Sequence, residues 1–210
     1  MMATAADYTW FSDRFPALTY AYCLTLVEGL SRAETLKRIG AETDCRVVGV
    51  HQLNESAYTK ARWGGEQGYQ NYVGATSLGE WTLLVEPNGF LGVTEQVIVP
   101  LSRGVRLVSH YRNVDSDNRF CWVEDGDIRL RFEPMFAYHR TGSDPDGLVD
   151  VMPRLGFDLA HEEDRNYEPY KEAAFALAEH ITGVRLTAEI LESADFLCGL
   201  ARLPRSSLKS

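Results

Sequence analysis

The sequence has few cysteines and no long apolar run, and each shortage argues against a class of protein. No stretch approaches the roughly 20 apolar residues that span a bilayer, and residues 1–10 lack the basic and apolar regions of a signal peptide. We therefore expect a cytoplasmic protein whose thiols are free, with no disulfide framework and no metal. The four cysteines are scattered, without a C-x-x-C pair or a histidine at metal-ligand spacing: Cys23, Cys45, Cys121 and Cys198.

Basic residues are also scarce, since 21 Lys and Arg stand against 30 Asp and Glu, for a formal net charge of −9. Nucleic-acid binding draws most of its free energy from basic side chains that neutralise phosphates, so this balance argues against a nucleic-acid partner. An acidic surface attracts basic protein partners, although moderate acidity also simply keeps a protein soluble. The 45% of hydrophobic residues suffices for a sizeable core and argues against a disordered chain.

The first third of the chain predicts helices around one short strand. Leucine and tyrosine at four-residue intervals predict a helix over residues 15–30. Ser31 and Glu34 form a capping box that opens a second, shorter helix. The β-branched run at residues 47–50 predicts a strand, and Asn54 is placed to cap a helix that reaches Trp63.

The middle third predicts an antiparallel meander, because short β-rich segments alternate with turn signals. Pro87–Asn88–Gly89 is a strong turn signal, and Asp125–Gly126 is the tightest hairpin signal in the chain. One short helix interrupts the strands at residues 94–101. The predicted strands are residues 72–75, 81–86, 105–112, 119–124 and 127–132.

The last third predicts three helices, at residues 144–155, 166–182 and 187–200, followed by a polar tail. The predicted fold class is therefore α+β, a single domain over residues 1–201 followed by a disordered tail over residues 202–210. Its antiparallel β-meander, of about four to six strands, is flanked by N-terminal and C-terminal helices.

Several sequence phrases occur together and resemble a known family. They include W-T-L-L-V-E-P-N-G at residues 81–89, V-S-H-Y-R-N-V at 108–114 and G-S-D-P-D at 142–146. In this order they are similar to an uncharacterised actinobacterial family, a domain of unknown function frequent in streptomycete genomes. The similarity extends over about residues 10–191 and implies no catalytic residue. A looser resemblance, in size, acidity and the first phrase, is to bacterial immunity-type proteins that neutralise toxins.

Carboxylates and arginines around the predicted sheet are the first candidates for a site. Paired carboxylates serve as general acid and base or bind a divalent metal, and arginine forks bind carboxylate or phosphate. Structural roles compete with both, since these carboxylates lie at strand ends or helix starts, and arginines pair with them. The carboxylates are Glu86, Glu124, Glu133, Asp144 and Asp146, and the arginines are Arg106, Arg112, Arg119, Arg129, Arg131 and Arg140.

Nucleophilic and phosphate-binding motifs are missing from the sequence, which has no G-x-S-x-G elbow and no phosphate-binding glycine loop. Aromatic residues concentrate around the sheet and mostly belong to a core. Trp63, in a glycine-flanked loop, is the best candidate for a surface anchor.

These patterns favour a non-catalytic protein-interaction module, immunity-like or regulatory, with a protein partner that is basic. We expect no catalytic residue, no metal and no cofactor. The alternative is a small-ligand-binding protein or hydrolase with an Arg and carboxylate pocket on the sheet, formed by Glu86, Arg112, Arg119 and Glu133. The candidate binding residues for the two hypotheses together are Trp63, Glu86, Asn88, Arg112, Arg119, Glu133 and Asp144.

Overall fold

The computed structural model describes residues 2–61, 69–161 and 168–204. Nine strands within these ranges form one sheet, and every neighbouring pair of strands in it is antiparallel. The strands are β1 Tyr22–Glu28, β2 Glu42–Val48, β3 Gln70–Leu78, β4 Trp81–Pro87, β5 Arg106–Arg112, β6 Asn118–Glu124, β7 Asp127–Phe132, β8 Arg140–Thr141 and β9 Asp195–Arg202. Their order across the sheet is β2-β9-β3-β4-β1-β5-β6-β7-β8.

Helices cover both faces of this sheet. Three short 3-10 helices, Ala5–Tyr8, Leu91–Val93 and Pro134–Phe136, accompany the α-helices. The α-helices in the described ranges are α1 Trp10–Arg14, α2 Pro16–Thr19, α3 Arg32–Arg38, α4 Gly49–Lys60, α5 Glu95–Leu101, α6 Met152–Leu155, α7 Tyr170–Thr182 and α8 Ala188–Ser193.

Two hydrophobic cores lie on opposite faces of the sheet, because successive side chains of a strand point to opposite sides. In β1, Tyr22 and Leu24 join the larger core, whereas Cys23 and Val27 join the smaller one. Helices from both ends of the chain, including α1, α4 and α7, contribute to the larger core. Helices α3 and α5 contribute to the smaller core. The predicted α+β class with flanking helices is confirmed.

The predicted helix over residues 15–30 is wrong, since only α2 is helical and β1 follows it. A spacing of four residues is even, so it fits the two-residue repeat of a strand as well as a helix. Strand β1 lies between β4 and β5, and six of its seven residues are buried. A strand that is buried on both faces lacks the alternation of polar and apolar residues by which a half-exposed strand is recognised in a sequence.

The predicted helix over residues 187–200 is also wrong beyond α8. Helix α8 begins near residue 187 as predicted, and the Thr187 side chain caps it by accepting a hydrogen bond from the Ile190 N–H. The chain then enters β9, which lies between β2 and β3. Phe196 points into the larger core and Leu197 packs against the smaller one. Because β1, β9 and the two-residue strand β8 were missed, the prediction of four to six strands was too low.

Two helix starts also differ from the prediction. Helix α4 begins at Gly49, so Asn54 lies inside it and caps nothing. Gly49 has a φ of +78°, and a Cβ there would lie 2.4 Å from the carbonyl oxygen of Glu192. The segment predicted as helix from residue 144 is mostly turns, and only α6 is helical before Gly156.

Local turn and capping signals were predicted correctly. The Ser31 side chain accepts a hydrogen bond from the Glu34 N–H at the start of α3. Asp125 and Gly126 have φ values of 48° and 80° between β6 and β7, as a two-residue hairpin turn of type I′ requires. Arg202 is the last residue of β9, and Leu203 is buried beside it. The rest of the predicted tail, from residue 205, lies outside the described residues.

Candidate functional site

The predicted site residues lie in several separate places. Arg119 and Glu133 line one cavity, whereas Asn88 lines another. Glu86 is internal, and Arg112 lies beside α2. The structure therefore does not bring together the four residues of the predicted Arg and carboxylate pocket. Asp144 forms an ion pair elsewhere, and Trp63 lies outside the described residues.

Glu86 has a structural role at the end of β4. Its carboxylate is fully buried and accepts hydrogen bonds from the N–H groups of Leu91, at 2.8 Å, and Gly92, at 2.9 Å. The Asn71 side-chain amide donates a third bond at 3.3 Å. Burial raises the pKa of Glu86, and the three donors oppose that shift. Glu86 thus holds the turn after β4 against the sheet and faces no open site.

Arg112 and Asp144 also serve the fold. The Arg112 guanidinium donates to the Thr19 carbonyl at 2.8 Å and the Ser116 hydroxyl at 3.3 Å, which ties β5 to the end of α2. Asp144 accepts a bond from Arg129 at 3.1 Å. Asp144 was predicted at the start of a helix. No helix starts there, and its carboxylate pairs with Arg129 instead.

Arg119 and Glu133 meet in a cavity of about 440 Å³ beside β6 and β7, here called the arginine cavity. Arg131 also lines it and forms an ion pair with Glu95 at 3.0 Å. Burial raises the pKa of Glu133, the charge of Asp117 raises it further, and Arg119 lowers it. The cavity thus combines cationic side chains with a carboxyl group that holds its proton more tightly than usual.

Two buried polar atoms of the arginine cavity have no hydrogen-bond partner among the described residues. They are the Oδ1 atom of Asn118, a residue 4% exposed, and the Nε atom of Arg131. Buried polar groups are nearly always paired. These two atoms are closed to solvent, however, so the groups that the cavity offers to a polar ligand are the exposed Arg119 guanidinium and the Glu133 carboxyl group.

A second cavity, of about 690 Å³, lies between α2, α4 and the turn after β4. Three of its side chains are unusually exposed for apolar groups: Tyr58 is 91% exposed, Tyr20 68% and Val114 66%. Pro87 and Asn88 complete what we call the tyrosine surface. Large exposed aromatic side chains that share one hollow are typical of a protein contact site.

Acidic side chains flank part of the tyrosine surface. Asp115 is exposed directly after Val114, and Glu55 is exposed on α4. On the other side of Tyr20, Arg112 and Lys171 line a smaller hollow of about 250 Å³. The Arg112 guanidinium already donates to backbone carbonyls. Lys171 is therefore the positive charge that stands opposite the acidic side chains beside the tyrosine surface.

A family model, described as a family of unknown function, DUF6461, matches residues 1–205. The chain belongs to this family. Neither the curated proteins nor the solved structures provide a match. Membership in DUF6461 confirms the resemblance to an uncharacterised family and supplies no activity, so the function has to be inferred from the site itself.

Two features are absent from the described part of the DUF6461 chain. The described residues contain no group of three or more His, Cys, Asp or Glu side chains arranged to hold a metal ion. Among the same residues, no helix combines the length and apolar character needed to cross a membrane.

Tyr20 and Tyr58 were missed as site residues in this DUF6461 chain. The reason is that both lie in segments predicted to be helical, away from the aromatic residues that concentrate around the predicted sheet. A helical count gives a signal for Tyr58, because Val50, Leu53 and Ala57 form the buried stripe of α4 and Tyr58 falls beside it. Tyr20 gave no such signal, since the segment around it was predicted to be helical.

Proposed function

We propose that this DUF6461 protein is a non-catalytic protein-interaction module that binds a basic partner through the tyrosine surface. The observation that carries the proposal is the joint exposure of Tyr20 and Tyr58 in one hollow. Tyrosine gives a large, rigid contact area with a polar end, so it is enriched among the residues that dominate binding.

The charge of the chain supports a basic partner. The net charge of −9 attracts cations over long range, and Asp115 and Glu55 lie beside the tyrosine surface. Lysine or arginine side chains of a partner are suited to stack on the tyrosine rings while pairing with these carboxylates.

The proposed biological role is immunity-like or regulatory, in an actinobacterial cytoplasm. The motivating features are the phrases at residues 81–89, 108–114 and 142–146, together with the small size and acidity. The four cysteines are free, which suits a compartment that keeps thiols reduced. A neutralising role requires only a tight contact that covers a partner, and it needs no reactive group in this chain.

The test is quantitative affinity capture from lysate of the source cells, with the wild type, the double variant Tyr20→Ser/Tyr58→Ser and the control Val48→Ser. Val48 is 57% exposed and is the last residue of β2, directly before the end of α4 that lies opposite Tyr58. We expect a basic protein to be retained by the wild type and the control and lost by the double variant. Once purified, this basic protein should bind the double variant more weakly than the wild type, by about 2 kcal/mol or more of binding free energy.

Several outcomes of this capture would contradict the proposal. They are the recovery of no basic protein, equal retention by the double variant, and loss with the control as well as with the double variant. Far-ultraviolet circular dichroism of each variant separates lost binding from lost folding.

A second candidate function, small-anion binding, is supported by the two arginines that line the arginine cavity, Arg119 and Arg131. Glu133 lies in the same cavity with a raised pKa. A carboxylate or phosphate would accept hydrogen bonds from the exposed Arg119 guanidinium, while a donor group on the ligand would bond Glu133. The cavity volume of about 440 Å³ is within the ordinary range for small-molecule sites.

A thermal-shift screen against small carboxylates and phosphates tests this second candidate, because a ligand that binds only the native state raises the melting temperature. We expect the shift to disappear in Arg119→Gln and to persist in Arg103→Gln, a change of an exposed arginine outside the cavity. No shift with any compound, or an equal shift in both variants, would rule out the arginine cavity.

A further inference from the structure

A cluster of five reactive side chains lies at the opposite edge of the sheet from the arginine cavity. Asp44 and Cys45 come from β2, Lys60 from the end of α4, Tyr72 from β3 and Cys198 from β9. The Cys45 sulfur lies 3.2 Å from the Tyr72 hydroxyl and 3.5 Å from the Lys60 Nζ atom. Lys60 also pairs with Asp44.

The register of β2 and β9 places the two thiols side by side. Thr43 pairs with Gly199 and Arg46 pairs with Leu197, so Asp44 and Cys45 together oppose Cys198 in a β-bulge. Opposed residues of antiparallel strands have Cβ atoms about 4.5–5.5 Å apart, close to the separation a disulfide spans. The Tyr72 hydroxyl interacts with both thiols, which places the two sulfurs around a single oxygen atom.

Cys45 differs from the other three cysteines in access to solvent. It is half-buried on β2, an edge strand whose first three residues are exposed, whereas Cys23, Cys121 and Cys198 are buried. Burial raises the pKa of Cys23 and Cys121, and it raises the pKa of Cys198 to about 11. Because a peroxide must reach the sulfur, oxidation should begin at the one of the four thiols that is accessible.

We propose that Cys45 is an oxidation site for peroxides and that Cys198 resolves it into a disulfide. The Cys45 sulfur attacks one peroxide oxygen and the O–O bond breaks. The cysteine becomes a sulfenic acid, and the second oxygen leaves as water after taking the thiol proton. The Cys198 sulfur then attacks the Cys45 sulfur, the S–O bond breaks and a second water leaves. Together the two thiols lose two electrons, which reduce one hydrogen peroxide to two waters.

The side chains around Cys45 suit each step. The Lys60 Nζ atom lies 3.5 Å from the Cys45 sulfur, where its positive charge would stabilise negative charge on the departing oxygen. The Tyr72 hydroxyl donates to Asp44 at 3.3 Å and lies 3.2 Å from the Cys45 sulfur. Cys198 stays a thiol until the adjacent sulfur is oxidised, because its raised pKa leaves little thiolate to react first. The product disulfide would join the edge strand β2 covalently to β9.

Treatment of the full chain with hydrogen peroxide tests the proposal. We expect the intact mass to fall by two hydrogen atoms and the peptide map to contain a link between residues 45 and 198. In Cys198→Ser the link is lost and a sulfenic-acid trap such as dimedone labels Cys45. Lys60→Met should react more slowly than the wild type, and Cys45→Ser should lose both the link and the label.

The control is Cys23→Ser, which removes a buried thiol from the smaller core and should leave the link unchanged. Labelling that is equal at Cys23, Cys45 and Cys121, or a wild type that resists peroxide, would overturn the proposal. So would dimedone-labelled Cys45 in the wild type with no link. The wild-type peptide map decides the question even if a serine variant fails to fold.

Discussion

At the scale of single residues, buried polar side chains divide into those that complete the fold and those left without a partner. Glu86 belongs to the first group, since its carboxylate accepts hydrogen bonds from two backbone N–H groups. The Oδ1 atom of Asn118 belongs to the second group. Arg112 belongs to both, because its Nη1 atom donates to backbone carbonyls while its Nε atom has no partner among the described residues. A residue type at a strand end therefore gives a candidate, and only its partners assign it a role.

His110 provides a residue-scale prediction about acid stability. Its imidazole is buried between Tyr22 and Phe175, and its pKa is lowered to about 3, mainly by burial and in smaller part by the charges of Arg112 and Lys171. The unfolded chain takes up a proton near pH 6.5 and the folded chain does not. The free energy of unfolding should therefore fall as the pH drops from about 6.5 to about 3, by about 1.4 kcal/mol per pH unit.

His110→Phe should remove this contribution to the pH dependence, which denaturant unfolding between pH 3 and pH 7 would measure. His51→Phe is the control, because His51 is an exposed histidine. The phenyl ring keeps the contacts with Tyr22 and Phe175 and loses only a long bond to the Tyr22 hydroxyl. Identical slopes for His110→Phe and the wild type would contradict a buried neutral His110.

At the scale of elements, the sequence predicted structures whose signals are local and missed those whose signals are not. The capping box at Ser31 and the hairpin at Asp125–Gly126 act within a few residues, so they were found. Strands β1 and β9 were read as helix, because both are inserted between other strands and lack a polar face. The strands that pair with β1 and β9 lie far away in sequence, and the periodicity of a segment does not predict which distant segment it pairs with.

The same limit applies to the candidate sites. Arg119 and Glu133 were both identified by residue type, but their separation from Glu86 depends on which way each strand faces. The tyrosine surface joins α2, α4 and the segments after β4 and β5. Four separate segments supply it, so no single motif marks it.

Gly49 gives the prediction at the element scale, since it sets the angle between β2 and α4. Gly49→Ala combines a φ of +78° with a Cβ that would lie 2.4 Å from the Glu192 carbonyl oxygen. Gly40→Ala is the matched control, with a φ of +68° and no atom within 4 Å of the added Cβ. The control should lose roughly 1–2 kcal/mol of unfolding free energy for its backbone conformation alone.

Gly49→Ala should lose about 1–3 kcal/mol more than Gly40→Ala, because the crowded carbonyl belongs to the backbone and cannot rotate away. Chemical denaturation of both variants measures the difference. Equal losses would contradict this prediction, because they would mean that α8, which carries Glu192, moves away from the added Cβ with no loss of unfolding free energy.

At the scale of the whole molecule, charge is distributed unequally around the proposed contact surface. Lys171 lies beside Tyr20 on one side, while Asp115 and Glu55 lie near the tyrosine surface on the other. If the partner is basic, Lys171 repels it locally although the molecule as a whole attracts it.

Lys171→Glu should therefore raise the association rate constant with the basic partner, and added salt should reduce the gain. Lys37→Glu makes the same change in net charge on α3, which covers the other face of the sheet. Surface plasmon resonance of both variants should give a larger increase for Lys171→Glu. Slower association in Lys171→Glu would indicate an acidic partner, and equal rates would indicate contact elsewhere.

The position of β9 between β2 and β3 has a consequence for how the chain matures on the ribosome. The eight earlier strands are synthesised first, and the slot between β2 and β3 stays open until residues 195–202 emerge. Backbone groups on both sides of the slot remain without their ladder partners in the nascent chain, as in any exposed strand edge. Closure of the sheet is thus a late, long-range event, and it is the step at which a chaperone has most to protect.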